Sequence, residues 1–207
     1  MTSQAADGPE TVVASRRSKI TPEREREFLD AALDQIRECG YDALSMEGVA
    51  ASTRCSKSTL YRQWKTKPQF VAAALRANSC PKFSGIDTGS LAGDLRAAAR
   101  AAGERSDEDT RLFQALGPAL LQDDELQREL HAVMVEPELG GLREMIRRGV
   151  DRGEISADHP ALEFVPAQLL GMVRVRPLLE GRYADADYLV RYVEVALLPA
   201  LGLSDTG

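Results

Sequence analysis

Apolar residues recur at helical spacing from about residue 21 onward, and every element that this pattern predicts is a helix. The first predicted helix has Thr21 as its N-cap, Pro22 in its first turn and Gly40 just past its end. Its apolar stripe consists of Leu29, Ala32, Leu33 and Ile36. We expect this helix to support the shorter elements that follow it.

Two short helices with a tight link between them are predicted next. Ser45 can cap the first and Ser56 the second, and Arg54-Cys55 form the link. The residues that the spacing turns inward are Met46, Val49, Ala50, Leu60 and Trp64. This order of helix, turn and helix is the pattern of a helix-turn-helix motif.

A fourth helix begins at Thr66, where Thr66 and Gln69 form a capping box, and it leads into the second half of the chain. Residues 79–90 contain proline and glycine and interrupt the periodicity. We therefore predict an all-α fold with three parts: a tail at 1–18, a three-helix helix-turn-helix domain within 19–78, and a larger helical domain at 79–207.

The larger domain is predicted to contain several long helices. They span 91–105, a segment from Asp107 that is interrupted at Gly117-Pro118, a segment from Asp123 or Asp124 to Gly153 that is perturbed at Pro137, then 161–179, and 185–201.

Charge is distributed unevenly along the chain. The net charge is −6, but no acidic residue lies between Glu47 and Asp87, an interval that contains seven Lys and Arg. From Arg16 to Arg76 the balance is 12 basic against 8 acidic residues, and from Ala77 to the end it is 14 against 22. Taken alone, this run of basic residues could be an ordinary solvated face. Together with the caps and the short turn, the run favours a nucleic-acid-binding domain.

The polar face of the second short helix carries side chains that can bond base edges and phosphates. We expect Lys57, Thr59 and Arg62 to contact bases. The predicted phosphate contacts are Ser45, Ser56, Tyr61, Lys65 and Lys67, and Arg54 and Ser58 complete the DNA-binding set. Arg16, Arg17 and Lys19 are either an arm on the minor groove or backbone, or simply a basic tail.

Three strings resemble the DNA-binding domain of the TetR family of bacterial transcriptional regulators. They are GYDALSMEGVAA (40–51), SKSTLYRQW (56–64) and KTKPQFVAAAL (65–75), and the later stretch RGVDRGEI (148–155) matches more loosely. Ser58 and the Arg54-Cys55 link depart from the family pattern. The resemblance implies a homodimer that binds a palindromic DNA operator and is released from it by a small-molecule effector.

The last two predicted helices are candidates for the dimer interface. Residues 161–179 are apolar nearly all the way round, and 185–201 carry a matching apolar stripe, so the pair can form a four-helix interface with its symmetry mate. An ordinary intrachain core would give the same pattern. Family resemblance favours the dimer.

Candidate effector contacts lie in the larger domain. They are Phe113, Met134, Met145, Phe164, Gln168, Met172 and Arg176. Arg174 and Arg176 lie in the most apolar helix, where each needs a carboxylate, a solvent path or an anionic ligand; structural pairing is favoured over ligand contact.

No catalytic residue, metal ligand or cofactor is predicted. His131 and His159 lack companions for a metal site or a triad, and Gly140-Gly141 lacks the context of a phosphate loop. Three cysteines and no signal peptide indicate a cytoplasmic protein, and charged residues in 161–179 exclude a membrane span. Cys55 is either a small core residue or a thiol switch. The alternative function is a helical protein-interaction adaptor or a small helical enzyme with a basic docking face.

Overall fold

The computed structural model describes residues 20–203, and all of its regular elements are helical. The predictions for the tail, including Arg16, Arg17 and Lys19, lie outside these residues. The helices are α1 (Pro22–Cys39), α2 (Met46–Ser52), α3 (Lys57–Gln63), α4 (Lys67–Asn78), α5 (Leu91–Glu104), α6 (Ser106–Leu120), α7 (Asp124–Leu130), α8 (Glu136–Asp151), α9 (Val165–Glu180), α10 (Ala186–Tyr192) and α11 (Leu198–Ala200). The predicted all-α class is confirmed.

Side-chain caps begin most of these helices where the sequence places them. Each capping oxygen accepts a hydrogen bond from a backbone amide three residues on, which satisfies a donor that has no partner inside the helix. The caps are Thr21, Ser45, Ser56, Thr66, Ser90, Asp123 and Asp185. These predicted starts are confirmed.

Helix α6 differs from its prediction at both ends. It begins at Ser106 with no side-chain cap, one residue before Asp107. It also continues through Gly117 and Pro118 to Leu120 without interruption. Pro118 is exposed and lies in the last turn, where its missing amide removes only one hydrogen bond of the helix.

Two π-helical turns lengthen the predicted long helices. His131–Val135 joins α7 to α8, and Val193–Leu197 joins α10 to α11. The first turn lies immediately before Glu136-Pro137, so the predicted perturbation at Pro137 is a local change of helical register rather than a break.

Two apolar cores hold the fold together, and the first crosses the boundary between the two halves of the sequence. It contains Phe28, Ile36, Leu60, Trp64 and Phe70 from the first four helices. Residues of α6, α7 and the following π turn pack into the same core; they are Leu116, Ala119, Leu126, Leu130 and Val133. The N-terminal helices therefore share a continuous interior with part of the larger domain.

The second core lies entirely beyond residue 82. It includes Phe83, Leu91, Leu142, Leu169 and Leu189, which are nearly inaccessible to solvent. Helix α5 packs closely on α10 here, because Gly103 has no side chain at the point where the backbone of Ala186 approaches. None of the helices within residues 20–203 is long and apolar enough to cross a membrane.

Candidate nucleic-acid interface and effector cavity

The turn between α2 and α3 is closed by backbone hydrogen bonds and by one left-handed residue. The amide of Cys55 donates to the carbonyl of Ala50 at 2.8 Å, and Arg54 has a φ of 51°. Arg24 of α1 donates from its guanidinium to the carbonyl of Thr53, which ties the scaffold helix to the turn. The Arg54-Cys55 link therefore forms a closed turn, with Arg54 in a conformation that glycine adopts at lower cost.

Trp64 sets the orientation of α3 relative to the rest of the domain. Its ring lies edge-on to Phe28 with centroids 6.4 Å apart and packs against Phe70 at 4.7 Å. Leu60, one turn earlier, is fully buried. With these two side chains inward, the opposite face of α3 points to solvent, as the sequence predicts.

That outer face carries most of the predicted DNA contacts. Ser45, Arg54, Ser56, Lys57, Ser58, Tyr61, Arg62 and Lys65 are exposed, and Thr59 is half-buried. The hydroxyl of Ser56 lies 3.0 Å from that of Ser58 and 2.7 Å from that of Thr59, so three hydroxyls are grouped at the start of α3. Hydroxyls and cations on a short exposed helix can bond phosphates and base edges, and these contacts stay a prediction.

Lys57 already has a partner within the motif. Its ammonium group forms an ion pair with Glu47 of α2 and lies 5.5 Å from the centroid of the Tyr61 ring. The hydrogen bond between them lowers the pKa of the Glu47 carboxyl and raises that of Lys57. A DNA phosphate or base that bonded to Lys57 would therefore compete with Glu47.

Lys67 is less accessible than the sequence suggests. Its ammonium group lies 4.0 Å from the centroid of the Tyr41 ring, and the residue is half-buried at the start of α4. Burial lowers the pKa of Lys67, although the charges of Asp42 and Asp123 oppose this effect. A role in phosphate binding stays a prediction for this residue.

A cavity of about 1290 Å³ lies where the N-terminal helices meet the larger domain. Leu33 and Arg37 of α1 and Leu75 and Asn78 of α4 form one side of it. The other sides come from α5, α6, α9 and the π turn before α8; they include Ala102, Leu112, Phe113, Val133, Met134, Leu170, Gly171 and Arg174. A molecule in this cavity would touch both halves of the protein.

The predicted effector residues do not all lie at this cavity. Phe113 and Met134 line it, while Met145 is fully buried in the second core and Phe164 is exposed. Gln168 accepts a hydrogen bond from the Tyr192 hydroxyl at 3.1 Å, and Met172 packs against the second core. Helical periodicity predicts which side chains turn inward, but not whether they line the cavity or pack in the second core.

The two arginines of α9 have different environments. Arg176 is buried with its guanidinium donating to Glu180 at 3.1 Å and to the carbonyl of Tyr183 at 2.8 Å, and it lies 3.5 Å from the Tyr188 ring centroid. It is thus held by its own domain and does not line the cavity. Arg174 lines the cavity, whereas Arg176, the predicted effector contact, does not.

Sequence reasoning missed two residues of the helix-turn-helix. Arg24 and Glu47 act through contacts with residues on another element, which no local pattern reports. In the described part of the chain, no group of three or more His, Cys, Asp or Glu side chains is placed to hold a metal ion.

The helix-turn-helix packs on an apolar core and exposes a basic face of its second helix, and a helical body with a cavity is attached to it. These features are typical of a DNA-binding regulatory protein. Comparison with known proteins identifies the family. Residues 28–74 match "Bacterial regulatory proteins, tetR family", and residues 86–196 match "Tetracyclin repressor-like, C-terminal domain". The chain belongs to the TetR family and is a DNA-binding transcriptional regulator, not an enzyme.

Individual relatives agree with this assignment. The chain is 31% identical over 182 residues to the DNA-binding transcriptional repressor TetR of Mycobacteroides abscessus, covering 84% of this chain and 92% of that one. It is 29% identical over 196 residues to a helix-turn-helix-type transcriptional regulator of Mycobacterium tuberculosis, covering 94% and 96% of the two chains. A solved structure described as a transcriptional regulator from Pseudomonas aeruginosa PAO1 has the same fold, with a TM-score of 0.67, 18% identity and coverage of 91% and 95%. The adaptor and enzyme alternatives are not retained.

Proposed function

We propose that this protein is a homodimeric repressor that binds a palindromic operator through one α3 helix per subunit and is released by a small molecule bound in the cavity. The observation that carries this proposal is the composition of the cavity wall. Leu33 and Leu75 belong to the helices that hold the DNA-binding motif, and Leu112 and Leu170 belong to the larger domain. A ligand that changes the spacing between them changes the position of the motif.

A second connection supports coupling between the cavity and the DNA-binding helices. The Thr66 hydroxyl at the start of α4 donates to Glu125 of α7 at 2.8 Å, and the Tyr41 hydroxyl donates to Asp123 at 3.4 Å. Helix α7 continues into the π turn whose residues Val133–Val135 line the cavity. Movement of this turn is therefore transmitted along α7 to the first turn of α4.

The exposed apolar surface of α9 supports a homodimer. Leu178 is 79% exposed and Leu179 is 75% exposed, and Phe164, Val175 and, on the last helical segment, Val195 are also exposed. Large apolar side chains exposed on one helix, such as Leu178 and Leu179 on α9, mark interaction surfaces when they form a patch. A second copy of the chain would cover them in a two-fold interface, and would place two α3 helices at adjacent half-sites of the DNA.

Release by a ligand requires that the ligand bind the two arrangements of the dimer with different affinity. A difference of about 100-fold corresponds to about 2.7 kcal/mol of coupling between the cavity and the operator site. We place the action of the protein on chromosomal DNA, and therefore in the cytoplasm.

Selection of genomic fragments by the purified protein, followed by footprinting, tests the proposal. We expect protection of an inverted repeat whose half-sites lie about one or two helical turns apart. Protection of a single half-site, or retention of all fragments with equal affinity, would contradict the proposed mode of binding.

A further inference from the structure

Arg174 is a half-buried cation of the cavity wall with part of its hydrogen-bonding capacity unused. Its Nη1 atom is buried and has no hydrogen-bond partner within residues 20–203. The guanidinium carbon lies 4.5 Å from the centroid of the Phe113 ring, which also lines the cavity. A guanidinium against an aromatic face still needs hydrogen-bond acceptors in its own plane, because contact with the ring does not satisfy its N–H donors.

The other cations of the cavity wall already have carboxylate partners. Lys82 pairs with Asp109, Arg105 with Glu108, Arg111 with Asp107, and Arg37 with Asp34. Glu138 accepts hydrogen bonds from the backbone amides of Lys82 and Phe83, and Glu104 is exposed. Asp109 is the carboxylate whose charge acts on Arg174, but its oxygen is bonded to Lys82.

Burial makes this arrangement costly. It lowers the pKa of Arg174, with the charge of Asp109 opposing the effect, yet a guanidinium remains protonated in proteins. A partly buried charge with an unsatisfied donor is destabilising, and an anion that enters the cavity and bonds to Arg174 would remove that cost. A neutral molecule of the same shape could accept one hydrogen bond but would not balance the charge.

Another part of the wall is suited to an apolar molecule. It is lined by Leu33, Leu75, Leu112, Val133, Met134 and Leu170. Its volume of about 1290 Å³ exceeds that of most ligand pockets, which are about 300–1000 Å³. There is room for an extended hydrocarbon or fused-ring body beside Arg174.

We propose that the effector is an organic anion, an apolar body with one carboxylate or similar group, and that Arg174 binds the anionic group. This inference rests on the proposed function, because it names the chemical class of molecule that the cavity takes. Phe113 would hold the guanidinium plane in position for a bidentate contact with the carboxylate.

Calorimetry with matched ligand pairs tests the proposal in the absence of DNA. The probes are dodecanoate, 4-phenylbutyrate and 2-naphthoate, each compared with its primary amide, which has the same apolar body and no charge. They are titrated into the wild-type protein, into Arg174→Met, and into Arg100→Met, a control that removes an exposed cation of α5 outside the cavity wall. Circular dichroism confirms that each variant is folded.

We expect at least one acid to bind the wild type and the control about tenfold or more tightly than its amide, and we expect that preference to disappear in Arg174→Met. Equal binding of acids and amides by the wild type would overturn the proposal. So would a preference for acids that survives in Arg174→Met, or the failure of all three acids to bind.

The same ligands added to operator complexes separate this inference from the function on which it rests. If an acid binds through Arg174 but leaves operator affinity unchanged, the anion site stands and the proposed release mechanism fails. If only an amide binds and releases the operator, the release mechanism stands and the anion site is wrong.

Discussion

Glu47 of α2 and Lys57 of α3 form an ion pair across the helix-turn-helix, so the first cation of the exposed helix is neutralised before DNA binds. Both side chains are more than half exposed. An exposed pair of this kind contributes little to stability and is screened by salt. If Lys57 contacts DNA as predicted, Glu47 competes with the nucleic acid for its ammonium group.

Removal of the Glu47 charge should tighten operator binding. We expect Glu47→Gln to raise affinity about three- to tenfold at low salt, because a negative charge beside the DNA is lost and Lys57 is released. The difference should shrink as salt increases. Fluorescence anisotropy with a labelled operator measures it, with Glu38→Gln as the control for loss of an exposed carboxylate on α1.

Weaker binding by Glu47→Gln would contradict this account of the pair. It would mean that Glu47 orients Lys57 for its DNA contact instead of competing for it.

Arg54 should separate the stability of the turn from its contact with DNA. At a φ of 51° a non-glycine residue is strained, so Arg54→Gly should raise the free energy of unfolding by about 0.5–1 kcal/mol. Arg54→Ala keeps the strain and should give no such gain. Both variants remove a cation beside the predicted DNA surface, so both should lower operator affinity and reduce the salt slope by about one.

Denaturant unfolding and salt-dependent anisotropy measure the two effects. A stability gain in Arg54→Ala equal to that in Arg54→Gly would exclude backbone strain as its cause.

Asp94 should make the larger domain sensitive to acid. Burial disfavours its charged form, but hydrogen bonds from the Thr88 amide at 2.6 Å and hydroxyl at 2.8 Å and from Arg148 at 3.0 Å outweigh burial and lower the pKa of the Asp94 carboxyl. A lowered folded-state pKa means that the stabilisation is complete above the unfolded value, about 3.9, and is lost as pH falls through the folded value.

Asp94→Asn should therefore lower the free energy of unfolding by about 2–3 kcal/mol at pH 7 and by less below pH 4. Thermal unfolding across this pH range measures the difference. Asp87→Asn is the control, since Asp87 contacts the same Arg148 only at 3.7 Å and is exposed. A loss of stability in Asp94→Asn that is the same at every pH would exclude the ionised pair as its origin.

The sequence predicts best those features that depend on interactions between residues close together in the chain. Caps such as Ser56 and Thr66, and inward residues such as Leu60 and Trp64, follow from spacing within one turn, and the structure confirms them. The continuation of α6 through Pro118 could not be predicted, because packing of the surrounding helix offsets one missing hydrogen bond.

The cavity could not be predicted for a different reason. Its wall combines α1 and α4 with helices far along the chain. Periodicity identifies the buried face of each helix but not the helix that packs against that face. The same limit applies to Arg174 and Arg176, which lie two residues apart in a uniformly apolar helix. Arg174 contacts the Phe113 ring and Arg176 contacts the Tyr188 ring, and only the folded positions of these two rings distinguish the arginines.

The proposed dimer interface predicts that charge on α9 will separate the subunits. We expect a Leu178→Glu, Leu179→Glu double variant to sediment as a monomer, because two carboxylates would be buried in an apolar interface. Leu121→Glu is the control: Leu121 is 89% exposed at the end of α6, away from this surface, and its replacement should leave the dimer intact. An unchanged mass for the double variant, or dissociation by Leu121→Glu, would contradict the interface.

The measurement that tests the central claim most directly is a titration of the protein into the DNA upstream of its own gene, at several salt concentrations and with unrelated DNA as competitor. Three proteins are compared: the wild type, Lys57→Ala with Arg62→Ala, and Arg143→Ala with Arg147→Ala, a control that removes two exposed arginines of α8. We expect specific binding by the wild type and the control, and at least a tenfold loss in the first double variant, which still dimerises. Equal loss in both double variants, or wild-type binding that unrelated DNA abolishes, would contradict recognition of an operator by α3.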